Sequence, residues 1–329
     1  MQLPFLFDWK KSKAHHELLS RFIKCESIKY FTQDDDDFTA WREVLHESPE
    51  KAIHRFINEE YLTKAEPSAV LDKVYKLPDL KSFCAERGLK VSGKKSELIE
   101  RLMRIDESGL REITSQKPIY SCTQKGLAIA KAHISIKEKA QQGVAEALKK
   151  RDYFQAATLM IDFEKQQVFP RGMGINWKTI NPKEFVQGLK QLFETTPHIL
   201  LHIPEEKLNL LKEYAGAAYL WGGKAKLPSN MENVSEKYDN EVCLNMLTIY
   251  AMQRNTLANY GKNSDVVKGV RILLADDDAC EECKKIGNKT YLIESGNIPQ
   301  LPYYRCSNKK GCRCCYLPVT IGSRELRNV

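Results

Sequence analysis

Hydrophobic positions along this chain recur mostly at helical spacing. In "SPEKAIHRFI", residues 48–57, Ala52, Ile53, Phe56 and Ile57 fall on one helical face. Ser48 followed by Pro49 supplies the start, a side-chain oxygen for the free amides and then a ring whose fixed φ suits the first turn. A second short helix precedes it, and the two part at "HESP". Residues 8–30 read as one helix, ended by "TQDDDDFTAW", whose four aspartates suit a solvated connection or a helix N-terminus. Farther on, Leu77, Leu80, Phe83 and Cys84 share one face of a helix, and Leu98, Leu102 and Ile105 share one face of the next. From about 126 to 262 the helical period persists, broken by Pro, Gly and Asn at "FPRGMGINW", "INPKEF", "TTPHILLHIPEEK" and "WGGKAKLPSN". That stretch predicts five to seven helices. Extended patterning is short: residues 119–122, with Thr123 capping the helix after it, and a C-terminal hairpin from 270–274 and 289–293.

The expected fold is therefore mainly α and multidomain. It comprises a winged-helix-like N-terminal region over 1–69, a two-helix module over 70–106, a completion of the winged-helix-like region over 107–135, a helical domain over 136–265 and a cysteine-rich metal-binding domain over 266–329. The balance of 51 Lys plus Arg against 43 Asp plus Glu gives +8, which favours polyanions only mildly and does not establish a nucleic-acid partner. "MQLPFLFDWKKSK" lacks a basic stretch before its short apolar run, and no apolar segment approaches the ~20 residues needed to cross a bilayer. A cytoplasmic protein without a membrane partner is the expectation.

The two-helix module, "KLPDLKSFCAERGLKVSGKKSELIERLMRID", carries the first functional signal. Gly88 stands where a helix C-cap needs a left-handed residue, while Ser92 and Gly93 suit the start of the second helix. That start leaves free backbone amides beside Lys94 and Lys95, a combination that binds phosphate. The stretch "LPDLKSFCAERGLKVSGKKSELIERL" resembles the SAP domain, a helix, extended loop, helix module of DNA- and chromatin-associated proteins. The resemblance implies binding to the backbone of duplex DNA, with Lys81, Lys90, Ser92, Gly93, Lys94 and Lys95 at the basic and loop positions and Arg101 a further candidate. Such contacts position a duplex without reading its sequence, and they weaken as salt rises. Gly88, Leu89, Leu98 and Leu102 belong to the fold. The plainer reading is that Lys94 and Lys95 only solvate a helix start. So short a module buries little surface alone, so it should lean on its flanks and need a second contact elsewhere.

Six of the ten cysteines lie between Cys280 and Cys315, while Cys25, Cys84, Cys122 and Cys243 are scattered and read as core thiols. "CEEC" is followed, after 22 intervening residues, by "CSNKKGCRCC". Two-residue spacing lets a tight turn aim both sulfurs at one tetrahedral Zn²⁺, and no histidine lies beyond His202, which points to an all-thiolate structural site. Six thiols compete for four positions. The preferred set is Cys280, Cys283, Cys312 and Cys314, with Cys306 the first substitute and Cys315 the last; a disulfide and an iron–sulfur cluster are the alternatives. Lys284, Lys285, Lys309, Lys310 and Arg313 surround the cluster as a second DNA contact or a solvated face. "VKGVRILLADDDACEECKKIGNKTYLI" through "LPYYRCSNKKGCRC" also resembles the C-terminal segment of tailed-phage head-morphogenesis (minor head) proteins.

Weaker candidates remain. Asp276, Asp277 and Asp278 offer clustered carboxylates for Mg²⁺ in nuclease chemistry. His198 and His202 stand four apart, but prolines bracket them and no metalloprotease pattern surrounds them. "FPRGMGINW" reads as a loop that offers Arg171 and Trp177 to a partner. The function these features support is non-catalytic DNA binding through the SAP-like module, assisted by a structural zinc domain, in a prophage or mobile-element setting. The alternatives are a phage-related head-morphogenesis or DNA-packaging protein and a metal-dependent DNA-processing enzyme.

Overall fold

A computed structural model of the chain describes residues 8–32, 36–172, 174–223, 226–275, 279–324 and 326. The described residues form fourteen α-helices and six short strands, arranged in two compact units, 1–138 and 139–329. No helix among them is long and apolar enough to cross a membrane.

The first unit opens differently from the single helix expected over 8–30. A 3-10 turn, Trp9–Lys11, is followed by α1 (Lys13–Ser20), β1 (Glu26–Ser27) and α2 (Lys29–Thr32). Two local causes divide it: Ser12 Oγ accepts the His15 N–H at 3.5 Å and restarts the helix, and Cys25 adopts φ 65°, a conformation no helix continues through. The third is tertiary, since β1 pairs with a strand nearly a hundred residues later.

α3 (Asp36–Leu45) and α4 (Pro49–Asn58) part where "HESP" predicted, with Ser48 Oγ accepting the Lys51 N–H at 3.3 Å. Ala52, Ile53 and Phe56 are buried on α4, and Trp9 packs against Phe56 and Tyr61 at ring distances of 4.7 and 4.8 Å. Buried His15 lies between Ser12 Oγ (2.9 Å) and Glu47 (2.8 Å), and Arg55 donates to the same carboxylate at 2.6 Å. β2 (Leu62–Lys64) and β3 (Ile119–Cys122) complete an antiparallel sheet of order β1-β3-β2. Thr123 Oγ1 accepts the Gly126 N–H at 3.2 Å and starts α9 (Gln124–Lys149) as expected. A Cβ on Gly126 would stand 2.1 Å from the Tyr61 carbonyl oxygen, so only glycine lets α9 approach the chain here.

Within the same unit α5 (Pro67–Val74), α6 (Leu77–Glu86), α7 (Lys95–Ile105) and α8 (Glu107–Ser115) enclose a small core of Leu71, Leu80, Cys84, Leu98, Ile99, Leu102 and Leu110. Two expected core positions are not in it: Leu77 is 37% and Ile105 61% exposed. Leu77 and Ile105 begin α6 and end α7, beyond the reach of the opposing side chains, and Ile99 takes the inward place because α5 and α8 widen the buried face.

In the second unit α9 is joined by α10 (Tyr153–Glu164), α11 (Lys183–Glu194), α12 (Glu205–Trp221) and α13 (Asn240–Lys262), five helices in the stretch predicted to hold five to seven. The loop after α10 is not offered to a partner. Trp177 is buried and donates from Nε1 to the Arg171 carbonyl at 2.7 Å, and Arg171 Nε donates to buried Glu164 at 2.8 Å. A carboxylate 4% exposed requires such a cation.

The C-terminal part contains β4 (Val267–Leu273), α14 (Glu281–Ile286), β5 (Thr290–Leu292) and β6 (Cys315–Thr320), with sheet order β5-β4-β6. The expected hairpin is β4 with β5, in which Val270 faces Tyr291. β6 was not foreseen, because Pro318 interrupts its strand signal; it is tolerated on an edge strand, opposite Val270. The apolar core runs unbroken from helical Leu148, Leu192, Leu211 and Leu247 to Val270, Ile272 and Tyr316 in the sheet.

Candidate nucleic-acid interface and metal centre

The loop between α6 and α7 is held from both ends. Gly88, at φ 63°, closes α6: its N–H donates to the Ala85 carbonyl at 3.0 Å, and the Leu89 N–H donates to the Cys84 carbonyl at 2.8 Å. This pair is a Schellman motif, and half-buried Leu89 packs on the core beneath it. Arg87 bonds Asp106 at 2.8 Å, and Asp106 also accepts the Gly109 N–H at 3.0 Å, so its carboxyl sits below the usual range. α6 is thereby tied to the start of α8.

The α7 start differs in detail from the one the sequence suggested. Lys94, not Ser92, is the capping residue, and its N–H donates to the Glu97 carboxylate at 3.2 Å. Gly93 has φ 129°, and a Cβ there would lie 2.5 Å from Glu97 Oε2. One of the free amides is therefore used, and a negative charge stands where phosphate was expected to bind. The sites nearest the amides of Lys95 and Ser96 still carry the positive end of the helix dipole.

The seven candidate contact residues divide into two sets. Lys81, Lys90, Ser92, Gly93 and Lys94 are exposed, and none of the three lysines forms an ion pair among the described residues. Lys95 and Arg101 are half-buried and turn inward. The Lys95 ammonium donates to the Asp72 carbonyl and lies 3.3 Å from its carboxylate, anchoring α7 to the end of α5. Arg101 Nη1 donates to the carbonyls of Lys90 and Ser92, the latter at 3.3 Å, and so holds the loop extended. The partner carbonyls had no sequence signal, since any residue supplies one.

In the second unit five of the six C-terminal cysteines converge. The sulfurs of Cys280, Cys283 and Cys306 lie within 4.8 Å of one another, as do those of Cys283, Cys312 and Cys314. Cys283 belongs to both groups. Cys280 Sγ is 3.7 Å from Cys306 Sγ, close to the ~3.8 Å edge of a tetrahedron with Zn–S bonds of ~2.3 Å. Cys283, Cys306, Cys312 and Cys314 are buried, Cys280 is half-buried, and Cys315 opens β6 outside both groups. Cys306, ranked as a substitute, is thus as central as the preferred four.

The donor set suits a thiophilic cation. Hydrogen bonding from Cys283, then Cys312, holds the Cys306 and Cys314 thiols well below their ordinary range; bonds to Cys306, Cys312 and Cys314 push Cys283 up. Backbone N–H groups of Ser307, Asn308 and Ala275 point at Cys280, Cys306 and Cys314, stabilising thiolate. This arrangement can hold a metal ion. Cys25, Cys84, Cys122 and Cys243 are free thiols in the core, and burial raises Cys122 to about 12 and Cys243 to about 11.

Other candidates do not gather. Asp276, Asp277 and Asp278 lie outside the described residues. His202 bonds Ser235 at 3.0 Å, and neither it nor His198 joins a metal-sized group among the described residues. Lys284 pairs with Glu281 at 2.7 Å and Lys285 with Glu282, so two of the five cations expected around the cluster are neutralised by neighbours on their own helix.

A model of the SAP domain family matches residues 73–107. The match encloses α6, the loop and α7 and stops at the first residue of α8. Neither the curated proteins nor the solved structures contain a significant match. The comparisons lend no support to the likeness between the C-terminal segment and head-morphogenesis proteins.

Proposed function

We propose that the chain binds the sugar–phosphate backbone of duplex DNA through its SAP domain, without catalysis, and that a Zn²⁺ held by four of the five converging cysteines stabilises the second unit. The SAP domain itself points to nucleic-acid binding. The observation that carries the duplex reading is the arrangement of the α6–α7 loop. Exposed Lys90 and Lys94 lie in a loop whose backbone is fixed by Gly88, Lys95 and Arg101, and a third exposed lysine, Lys81, stands on α6 before it. A fixed loop with unpaired cations loses little order on meeting a phosphate backbone. Lys95 and Arg101 act in this reading as supports for the loop.

An all-sulfur donor set, buried and fed by backbone N–H groups, suits Zn²⁺ and leaves no open position for chemistry. The experiment is a titration of labelled duplex with the zinc-replete full chain at low salt, followed by Lys81→Ala with Lys94→Ala. Saturable binding weakened by the pair of substitutions supports the reading. Duplex affinity unaltered by them overturns it.

A further inference from the structure

The segment from Leu301 to Cys306 is anchored at both ends and presents aromatic rings between. Leu301 is buried, and its N–H donates to Tyr316 Oη at 3.0 Å, which itself donates to the Pro299 carbonyl at 2.6 Å. At the other end Cys306 is buried in the sulfur cluster, and its carbonyl accepts from Tyr238 Oη at 3.3 Å. Between these anchors Tyr303 is half-buried, Tyr304 is 48% exposed and Arg305 is exposed.

The three side chains form one surface. The Tyr303 and Tyr304 rings meet edge to face at 5.1 Å, and exposed His198 lies 6.4 Å from Tyr304. The Arg305 guanidinium sits 5.2 Å from the Tyr304 centroid, forms no ion pair among the described residues, and feels the charge of Lys285, which is itself paired with Glu282. A ring half out of water contributes little to the core, and a rigid loop prevents it from folding back. Such a surface fits a ligand with flat π-faces strung along negative charge, which is unpaired nucleic acid. Bases inside a duplex offer no face to it, and an acidic protein would meet the cations but leave the ring idle.

We infer that Tyr304, flanked by Tyr303 and Arg305, is a stacking platform for single-stranded nucleic acid. It shares only the partner class with the duplex reading of the α6–α7 loop and does not depend on that loop. The test uses the zinc-replete full chain and two probes, a fluorescein-labelled oligothymidine and a labelled duplex. Tyr304→Ala is expected to weaken oligothymidine binding about tenfold, the size of one lost base–aromatic stack, and to leave duplex binding and bound metal unchanged. Lys81→Ala with Lys94→Ala should do the reverse, so a duplex result that fails sinks only the earlier reading. Tyr304→Trp should retain affinity and show indole quenching on oligothymidine binding. Failure of the wild-type chain to bind oligothymidine, unchanged affinity in Tyr304→Ala, or an unquenched indole in Tyr304→Trp each overturns the inference.

Discussion

Salt dependence gives the α6–α7 loop a quantitative test. Three exposed lysines of the module, Lys81 on α6, Lys90 in the loop and Lys94 at the loop's end, lack ion pairs among the described residues, whereas Lys95 is paired with Asp72 and Arg101 is bound to backbone carbonyls. If each of the three neutralises one phosphate, log K falls with log salt at a slope of about −2.7, so raising salt fourfold weakens binding about 40-fold. Lys81→Ala with Lys94→Ala leaves one such contact, a slope near −0.9 and a loss of only about 3- to 4-fold over the same range. Fluorescence anisotropy at four or more salt concentrations, on several unrelated duplexes, reads both values. The effect should be uniform across sequences, because phosphate contacts carry no base information. A double variant whose slope stays within error of wild type refutes the assignment of these lysines. A slope that falls for one duplex alone refutes the backbone reading.

Other consequences are as direct. Cys283 lies in both sulfur groups and Cys315 in neither, so Cys283→Ser should abolish bound zinc and unfold the second unit, while Cys315→Ser keeps about one equivalent; equal metal content by mass spectrometry in the two variants would exclude the arrangement. Gly126→Ala should lower the melting temperature of the first unit, because the new Cβ meets the Tyr61 carbonyl and overpacking of this kind costs about 1–3 kcal/mol. Gly261→Ala, on α13 of the second unit with open space around it, should be neutral or stabilising in that unit's own melt, and a similar loss there would show that the clash is not the cause. Burial lowers the His15 pKa below 6.5, so the unfolded chain binds more protons below that pH. Stability of the first unit should therefore be full well above pH 6.5 and fall as pH drops through and below it, and His15→Gln should flatten that fall; an unchanged profile counts against the buried neutral ring.

Much of the candidate site was legible because its causes are local. Gly88 closing α6, Ser48 with Pro49 opening α4, and the Cys280–Cys283 spacing each act over a few residues, and each is found where the pattern placed it. The misplacements turn on what each side chain packs against, which its spacing does not state. Ile105 has the right period for the core but stands exposed at the end of α7, and Ile99 is buried because α5 and α8 flank the module. Arg171 and Trp177 looked available in a loop, yet buried Glu164 draws one inward and the Arg171 carbonyl holds the other. β6 carries an internal proline that only an edge position accommodates.

Periodicity, capping residues and cysteine spacing thus determine that the chain is mainly helical, that 77–105 forms two helices about a basic loop, and that its C-terminal thiols suit a metal. These properties depend on neighbours within a turn or two, and the order of residues states them. Which cations face outward was decided in three dimensions. Lys94 and Lys95 are adjacent and chemically alike, but Asp72 lies within reach of only one of them. The same holds for Cys306, which a ranking by spacing set below Cys280 and which the fold brings beside Cys283. Charge and thiol chemistry are properties of a residue, whereas their availability belongs to whatever the packed chain sets against it.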